Sequence, residues 1–145
     1  MRRFLFDTTV FVYARGRPHR YREPCSAIVA EQVAGRLAGE AATGLIREYA
    51  HRRYRQTGDR WDAVQMARDI AAMCPLHPAS EADVLRALEL FERHEGLGTT
   101  DAVFAAVALN RGIDAILTSD RGFDGIGGLE RVDPLDADAV AALGR

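Results

Sequence analysis

Lysine is missing from this chain: all nineteen of its cationic residues are arginine. A phosphate-cradling loop that depends on a lysine is therefore excluded. Cysteine is nearly missing too. Cys25 and Cys74 share no close spacing, so they form neither a disulfide framework nor a thiolate metal site, and they are expected as small core residues. The four histidines, His19, His51, His77 and His94, lack the spacing of a zinc site. No long apolar run exists either. The longest, Ala102 to Leu109, has eight residues, against the ~20 that a membrane helix needs. The opening residues Met1-Arg2-Arg3-Phe4-Leu5-Phe6 reach Asp7 before any signal-like stretch can form. The expectation is a cytoplasmic protein and, at 145 residues, one domain over 1–145 without repeats or long linkers.

What is present is polarised. Residues 1–60 carry twelve Arg against six acids, a balance of +6. Residues 61–145 carry seven against fifteen, a balance of −8, which together give the net charge of −2. Such a division suits either two solvated faces or a basic surface for a polyanion beside an acidic region for metals.

Arg3 to Phe6 reads as a buried strand that delivers Asp7 at its carboxyl end. Thr8 and Thr9 offer a cap for a short helix through Tyr13, and Arg15 to Arg22 reads as a basic loop broken by Gly and Pro. The pattern predicts a helix over 27–37 ended by Gly39, then a brief strand over 40–42. Thr43 is expected to cap a helix from about Leu45 to Arg55, and another helix is expected from Trp61 to Met73. A short strand at Leu76–His77 precedes a helix opened by a Ser80/Asp83 capping box, with Val84, Leu85, Leu88 and Phe91 on one stripe. A helix from Asp101 to Asn110, a strand over 114–118, an edge strand over 129–132 and an Ala-rich terminal helix complete the chain. Strands separated by helices predict an α/β fold with a central parallel sheet.

In such sheets ligands bind beyond the carboxyl ends of the strands, where strand order reverses. Asp7 and Asp120 close two of the strands, Asp101 lies in the first turn of its helix, and Glu48 lies one turn into another. Four bare carboxylates on one rim would repel each other; as oxygen donors they suit Mg²⁺ or Mn²⁺. Taken singly, each acid is equally an ordinary turn, cap or solvated helix residue.

The local sequences add a resemblance. Asp7-Thr8-Thr9-Val10-Phe11-Val12-Tyr13-Ala14 resembles the opening of PIN domains, and Thr43-Gly44-Leu45-Ile46-Arg47-Glu48-Tyr49 resembles their second motif. Thr99-Thr100-Asp101-Ala102 with its Ala-rich continuation is similar to the third, and Thr118-Ser119-Asp120-Arg121-Gly122-Phe123 to the fourth. Order, spacing and length together resemble the VapC-type toxins of prokaryotic toxin–antitoxin pairs, over about Phe4 to Val132. Thr9 stands where the family more often has Asn or Ser, and Asp124 is a second choice for the fourth acid. Phosphatases of the haloacid-dehalogenase type and response-regulator receiver domains also use a strand-end Asp, but both need a lysine.

The resemblance implies a PIN-like three-layer α/β/α domain that hydrolyses RNA phosphodiester bonds with Mg²⁺ or Mn²⁺, leaving 5′-phosphate and 3′-hydroxyl ends. Asp7 and Asp101 would contact the metal; Glu48 and Asp120 would complete its shell directly or through water. It also implies a cognate VapB-type antitoxin and a homodimer. RNA contacts would fall to the basic half. One strip is Arg15, Arg17, Arg20 and Arg22 with Tyr21; another is Arg52, Arg53 and Arg55 with Tyr54, of which Arg52 and Arg55 share a helix face with Glu48. Arg52 and Arg55 pairing with acids of the same chain is the plain alternative, and Arg47 is expected to point away from Glu48. The different-class alternative is a non-catalytic PIN-like module that binds RNA or protein.

Overall fold

The computed structural model describes residues 1–145. Five strands form one parallel sheet: β1 (Arg3–Phe6), β2 (Ala38–Ala42), β3 (Leu76–His77), β4 (Ala115–Leu117) and β5 (Glu130–Val132), in the order β3-β2-β1-β4-β5. Seven α-helices accompany them: α1 (Thr8–Ala14), α2 (Arg22–Val33), α3 (Thr43–Thr57), α4 (Arg60–Met73), α5 (Glu81–Arg93), α6 (Thr99–Asn110) and α7 (Ala137–Leu143), with a 3₁₀ turn at Arg121–Phe123. Phe4, Leu5 and Phe6 are consecutive in β1 and all fully buried. Since neighbouring strand residues point to opposite faces, both faces of the sheet are covered by helices. The α/β reading and its parallel sheet hold. No helix is long and apolar enough to cross a membrane.

Several boundaries differ from the sequence reading, each for a local reason. Asp7 itself caps α1, its carboxylate accepting from the Thr8 N–H, so neither threonine is the cap. Helix α2 starts at Arg22 rather than 27. Pro24 sits in the first turn, where a missing N–H costs nothing. It ends at Val33 rather than Leu37, and Gly35, at φ +75°, takes the chain out in a left-handed conformation. Gly39 does not stop a helix; it is inside β2, opposite Phe4. A Cβ there would collide with the Phe6 ring, so the close approach of two strands requires the glycine. Thr43 begins α3 without capping it, the N-cap being Ala42.

The capping box is present as read. Ser80 Oγ accepts from the Asp83 N–H at 3.2 Å, and Asp83 Oδ2 accepts from the Ser80 N–H at 2.8 Å. Asp83 is buried and its carboxylate also takes bonds from Asn110 and Arg111, which hold its pKa far below the usual carboxylate range. The apolar stripe of α5 behaves otherwise than a core stripe. Val84, Leu85, Leu88 and Phe91 are all exposed, and the helix buries Asp83 and Ala87 instead. Cys25 and Cys74 are buried and unpaired, with burial pushing both thiols up to about 12, as befits small core residues.

Candidate active site

The strand order reverses between β1 and β4, and the segments that leave those strands carry Asp7 and Asp120. Helix α3 leaves the neighbouring β2 and carries Glu48 one turn in. Helix α6 returns directly into β4, so its first turn, with Asp101, lies above the same carboxyl edge. Four distant segments thus meet at one rim.

Asp7 is held most firmly. Only 3% exposed, it accepts from the Thr8 N–H at 2.9 Å, the Thr9 hydroxyl at 2.8 Å and the Thr118 hydroxyl at 2.7 Å. Thr9, the departure from the commoner Asn or Ser, therefore still ties the turn through its hydroxyl. Burial raises the Asp7 pKa; the three hydrogen bonds oppose it, and Glu48 adds repulsion. Glu48 accepts from the Thr8 hydroxyl at 2.9 Å, which joins it to the same turn. Thr118 Oγ1 meanwhile accepts from the Asp120 N–H at 3.0 Å, so one threonine fixes two acids relative to each other. Asp120 Oδ1 accepts from the Gly122 N–H at 2.8 Å. A Cβ at Gly122 would collide with the Gly96 carbonyl oxygen. Only glycine lets the Asp120 turn close on the loop that opens α6.

Asp101 carries the electrostatic record of this convergence. Its carboxyl is pushed up to about 7, first by burial, then by the charges of Asp7 and Asp120, a shared hydrogen bond with Asp120, and Glu48. The groups that raise it are the other three acids singled out in the sequence. Asp124 is elsewhere: it pairs with Arg131 at 2.6 Å, and Arg131 in turn reaches Asp133 and the Thr118 carbonyl.

The donor set fits a hard divalent cation. It is all oxygen, and it is left with repulsion that a cation would relieve. No three Asp, Glu, His or Cys side chains are gathered closely enough in this structure to hold a metal ion among them; Mg²⁺ needs only one or two carboxylates directly and keeps several waters.

The arginines divide. Arg15 lies with its guanidinium against Met66 Sδ at 3.3 Å and Asp69 at 3.8 Å, and Arg53 binds Asp62 at 2.7 Å and the Arg15 carbonyl. Both tie α1 and α3 to α4 and are not free for a ligand. Arg52 and Arg55 pair with no acid, so the plain alternative for them fails. Arg17, Arg20 and Arg22 are exposed, Arg20 lying 5.3 Å from the Tyr21 ring centre. Tyr21 stacks on Tyr13 at 5.2 Å, and Tyr13 on His19 at 4.7 Å.

Arg47, expected to point away from Glu48, is exposed and lines a groove of about 740 Å³ that Glu48, His51 and Thr100 also line. Sequence reasoning missed His51 and Thr118. His51 stands three residues after Glu48, a helical spacing that could have flagged it. Nothing in the sequence marks Thr118 as a partner of Asp7, because that hydrogen bond spans 111 positions.

A family model described as the PIN domain matches residues 4–129. The chain is 38% identical to ribonuclease VapC7 of Mycobacterium tuberculosis over 97% of each chain. It is 32% identical to ribonuclease VapC23 of that organism, over 79% of this chain and 90% of the other. Among solved structures, DNA-bound VapBC from Salmonella typhimurium is similar with a TM-score of 0.68 and 15% identity, covering 92% of this chain and 99% of that one. VapC20 of M. tuberculosis, described as a sarcin–ricin-loop-cleaving toxin, gives 0.66 and 18% over 85% of this chain and 91% of the other. These last two are likenesses of fold.

Proposed function

Since the chain belongs to the PIN domain family, we propose that it is an endoribonuclease, the toxin of a toxin–antitoxin pair, dependent on Mg²⁺ or Mn²⁺. The observation that carries this reading is the mutual repulsion of four carboxylates at the strand-order reversal, expressed in Asp101. Isolated cap or turn acids would not perturb one another; the alternative, a non-catalytic module that binds RNA or protein, is told apart by the cleavage test below.

In this reading Asp7 and Asp101 hold the cation, with Glu48 and Asp120 completing the shell directly or through water. A divalent ion held there supplies the charge that makes water nucleophilic near neutral pH and offsets charge on the phosphate. The hydroxyls of Thr8, Thr9 and Thr118 keep the acids in place before substrate arrives. Either Glu48 or Asp120 accepts the proton of the attacking water, and the 3′ oxygen leaves. The test is incubation of the full chain with labelled single-stranded RNA and Mg²⁺. Internal cuts support the reading; tight binding without cutting would favour the non-catalytic module.

The carboxylates repel RNA, so arginines must attract it. Arg52 and Arg55 are expected to contact phosphates, with Arg20 and Arg17 as a second group. Changing Arg52 and Arg55 together to Ala should weaken RNA binding across sequences and flatten its log–log salt dependence by roughly 0.7 for each phosphate no longer neutralised. Affinity against salt, with Ca²⁺ in place of Mg²⁺, measures this. An unchanged slope would move the role to Arg17, Arg20 and Arg22.

Partners follow from the same proposal. Solved neighbours of this fold are described as VapBC complexes, and a VapB-type antitoxin is the partner we assign here. A homodimer is the state we assign, since the exposed α5 stripe is apolar surface of the kind that a partner covers. Cytoplasmic action fits the two unpaired cysteines.

A further inference from the structure

The groove beside the acids has a composition that the metal centre does not explain. It opens from the rim at Glu48 and Thr100 and runs between α3, the segment before α5, and the start of α6. Its walls include apolar surface from Gly44, Pro78, Val103 and Phe104, and its edge carries Arg47 and His51. At about 740 Å³ it is within the size range of small-ligand sites. Arg47 and His51 are exposed, one helical turn apart on α3, and neither bonds to any other side chain. An unpaired guanidinium and an imidazole at the mouth of a cleft with one apolar wall match the parts of a nucleotide: a phosphate, a hydrogen-bonding sugar or base edge, and a flat base.

We propose that this groove is a subsite for one unpaired nucleotide of the RNA, next to the phosphodiester that is cut. The proposal rests on the ribonuclease reading and names the groups that grip its substrate. Arg47 binds the phosphate adjoining the scissile one, with the bidentate geometry that arginine favours. It offsets the repulsion that the neighbouring acids exert on the strand. His51 bonds the 2′-hydroxyl or a base edge, and the base lies on the apolar wall. A paired base could not enter, so the subsite selects single-stranded or loop RNA. Gly44 keeps the wall open: a Cβ there would stand 3.5 Å from the Phe104 ring, in ordinary contact, so a side chain at this position narrows the groove.

Two readouts test this. First, AMP, GMP, CMP and UMP are titrated in chelator into the isotope-labelled full chain, with inorganic phosphate as control, while amide shifts of Gly44, Thr100 and Val103 are followed. Saturable shifts with at least one nucleotide and none with phosphate are expected. Arg47→Met should weaken that binding by about tenfold, the worth of one charge-assisted hydrogen bond. Gly44→Leu should abolish it. Second, Arg47→Met should lower kcat/KM for labelled single-stranded RNA by about tenfold, chiefly through KM, as removal of uniform binding does. Absent shifts, or binding indifferent to Arg47→Met, would overturn the subsite. So would nucleotide binding with cleavage unchanged by Arg47→Met, which would mark a site for free nucleotides instead. If the unaltered chain cuts no RNA, the ribonuclease reading fails on its own. The affinity of Arg47→Met for the labelled RNA in chelator then decides the subsite.

Discussion

Asp101→Asn should reduce RNA cleavage by more than about 100-fold, because even partners behind a metal ligand cost about 10–100-fold when changed. The same substitution should raise the melting temperature of the metal-free chain. The Asp101 carboxyl is pushed up to about 7 in the folded chain, from an ordinary value of 3.8, because burial and the charges of Asp7 and Asp120 penalise its ionised form. Between those two pH values the folded chain holds a proton that the unfolded chain has released. Metal-free stability therefore falls as pH rises from about 4 to about 7. Asn is nearly isosteric and neutral, so it removes Asp101's share of this slope and leaves the share that the raised Asp7 contributes. Thermal melts in chelator across that range, beside cleavage rates at equal folded concentration, check both halves. Undiminished cleavage, or a melting temperature that drops with the pH slope intact, would remove Asp101 from the centre. Asp120→Asn should also cost more activity than Asp124→Asn, since Asp124 is occupied by Arg131.

Removal of divalent metal should abolish cleavage altogether, and the products made in its presence should carry 5′-phosphate and 3′-hydroxyl ends. Ribonucleases that use the neighbouring 2′-hydroxyl leave cyclic or 3′-phosphates and employ His, Lys or Arg for proton transfer. This chain has no lysine. Its one histidine beside the acids, His51, lies at the edge of the groove, whereas the convergent groups at the strand-order reversal are carboxylates. An external water is therefore the nucleophile that the site suits, with the 3′ oxygen as leaving group. The measurement cleaves a 5′-labelled RNA with Mg²⁺ or Mn²⁺ and treats the labelled fragment with a 3′-phosphatase. Unchanged mobility, and no fragment in chelator, is the expected result. Cyclic phosphate ends, or cleavage that persists in chelator, would mean that the four acids do not drive the reaction.

Much of the fold and the site is legible in the sequence, and the reason is local. The β1, α4, α5 and α6 segments advertise themselves through apolar runs, caps and a helical period, which depend on neighbours within a few residues. The alternation of strands and helices imposes a parallel sheet, and a parallel sheet imposes a rim where strand-end acids gather. Asp7, Glu48, Asp101 and Asp120 can be named from that logic, with four ordered motifs behind it. Lysine's absence narrows the chemistry further. Tertiary structure alone decides everything that depends on groups remote in sequence. Gly39 reads as a helix stop, yet packing against Phe6 makes it a strand residue. Thr118 looks like any strand residue until it is found to donate to Asp7 and accept from the Asp120 amide. Asp124 stands in the sequence as a second choice for the fourth acid, but Arg131 claims it and leaves Asp120 to the rim. Arg15 and Arg53 read like Arg52 and Arg55, yet α4 takes the first pair and leaves the second unpaired. Arg47 and His51 become one edge of a groove only when α6 supplies the opposite wall. Local sequence sets which residues are offered; the long-range closure of the chain sets which of them meet, because electrostatic and hydrogen-bonding partners are chosen by distance in space.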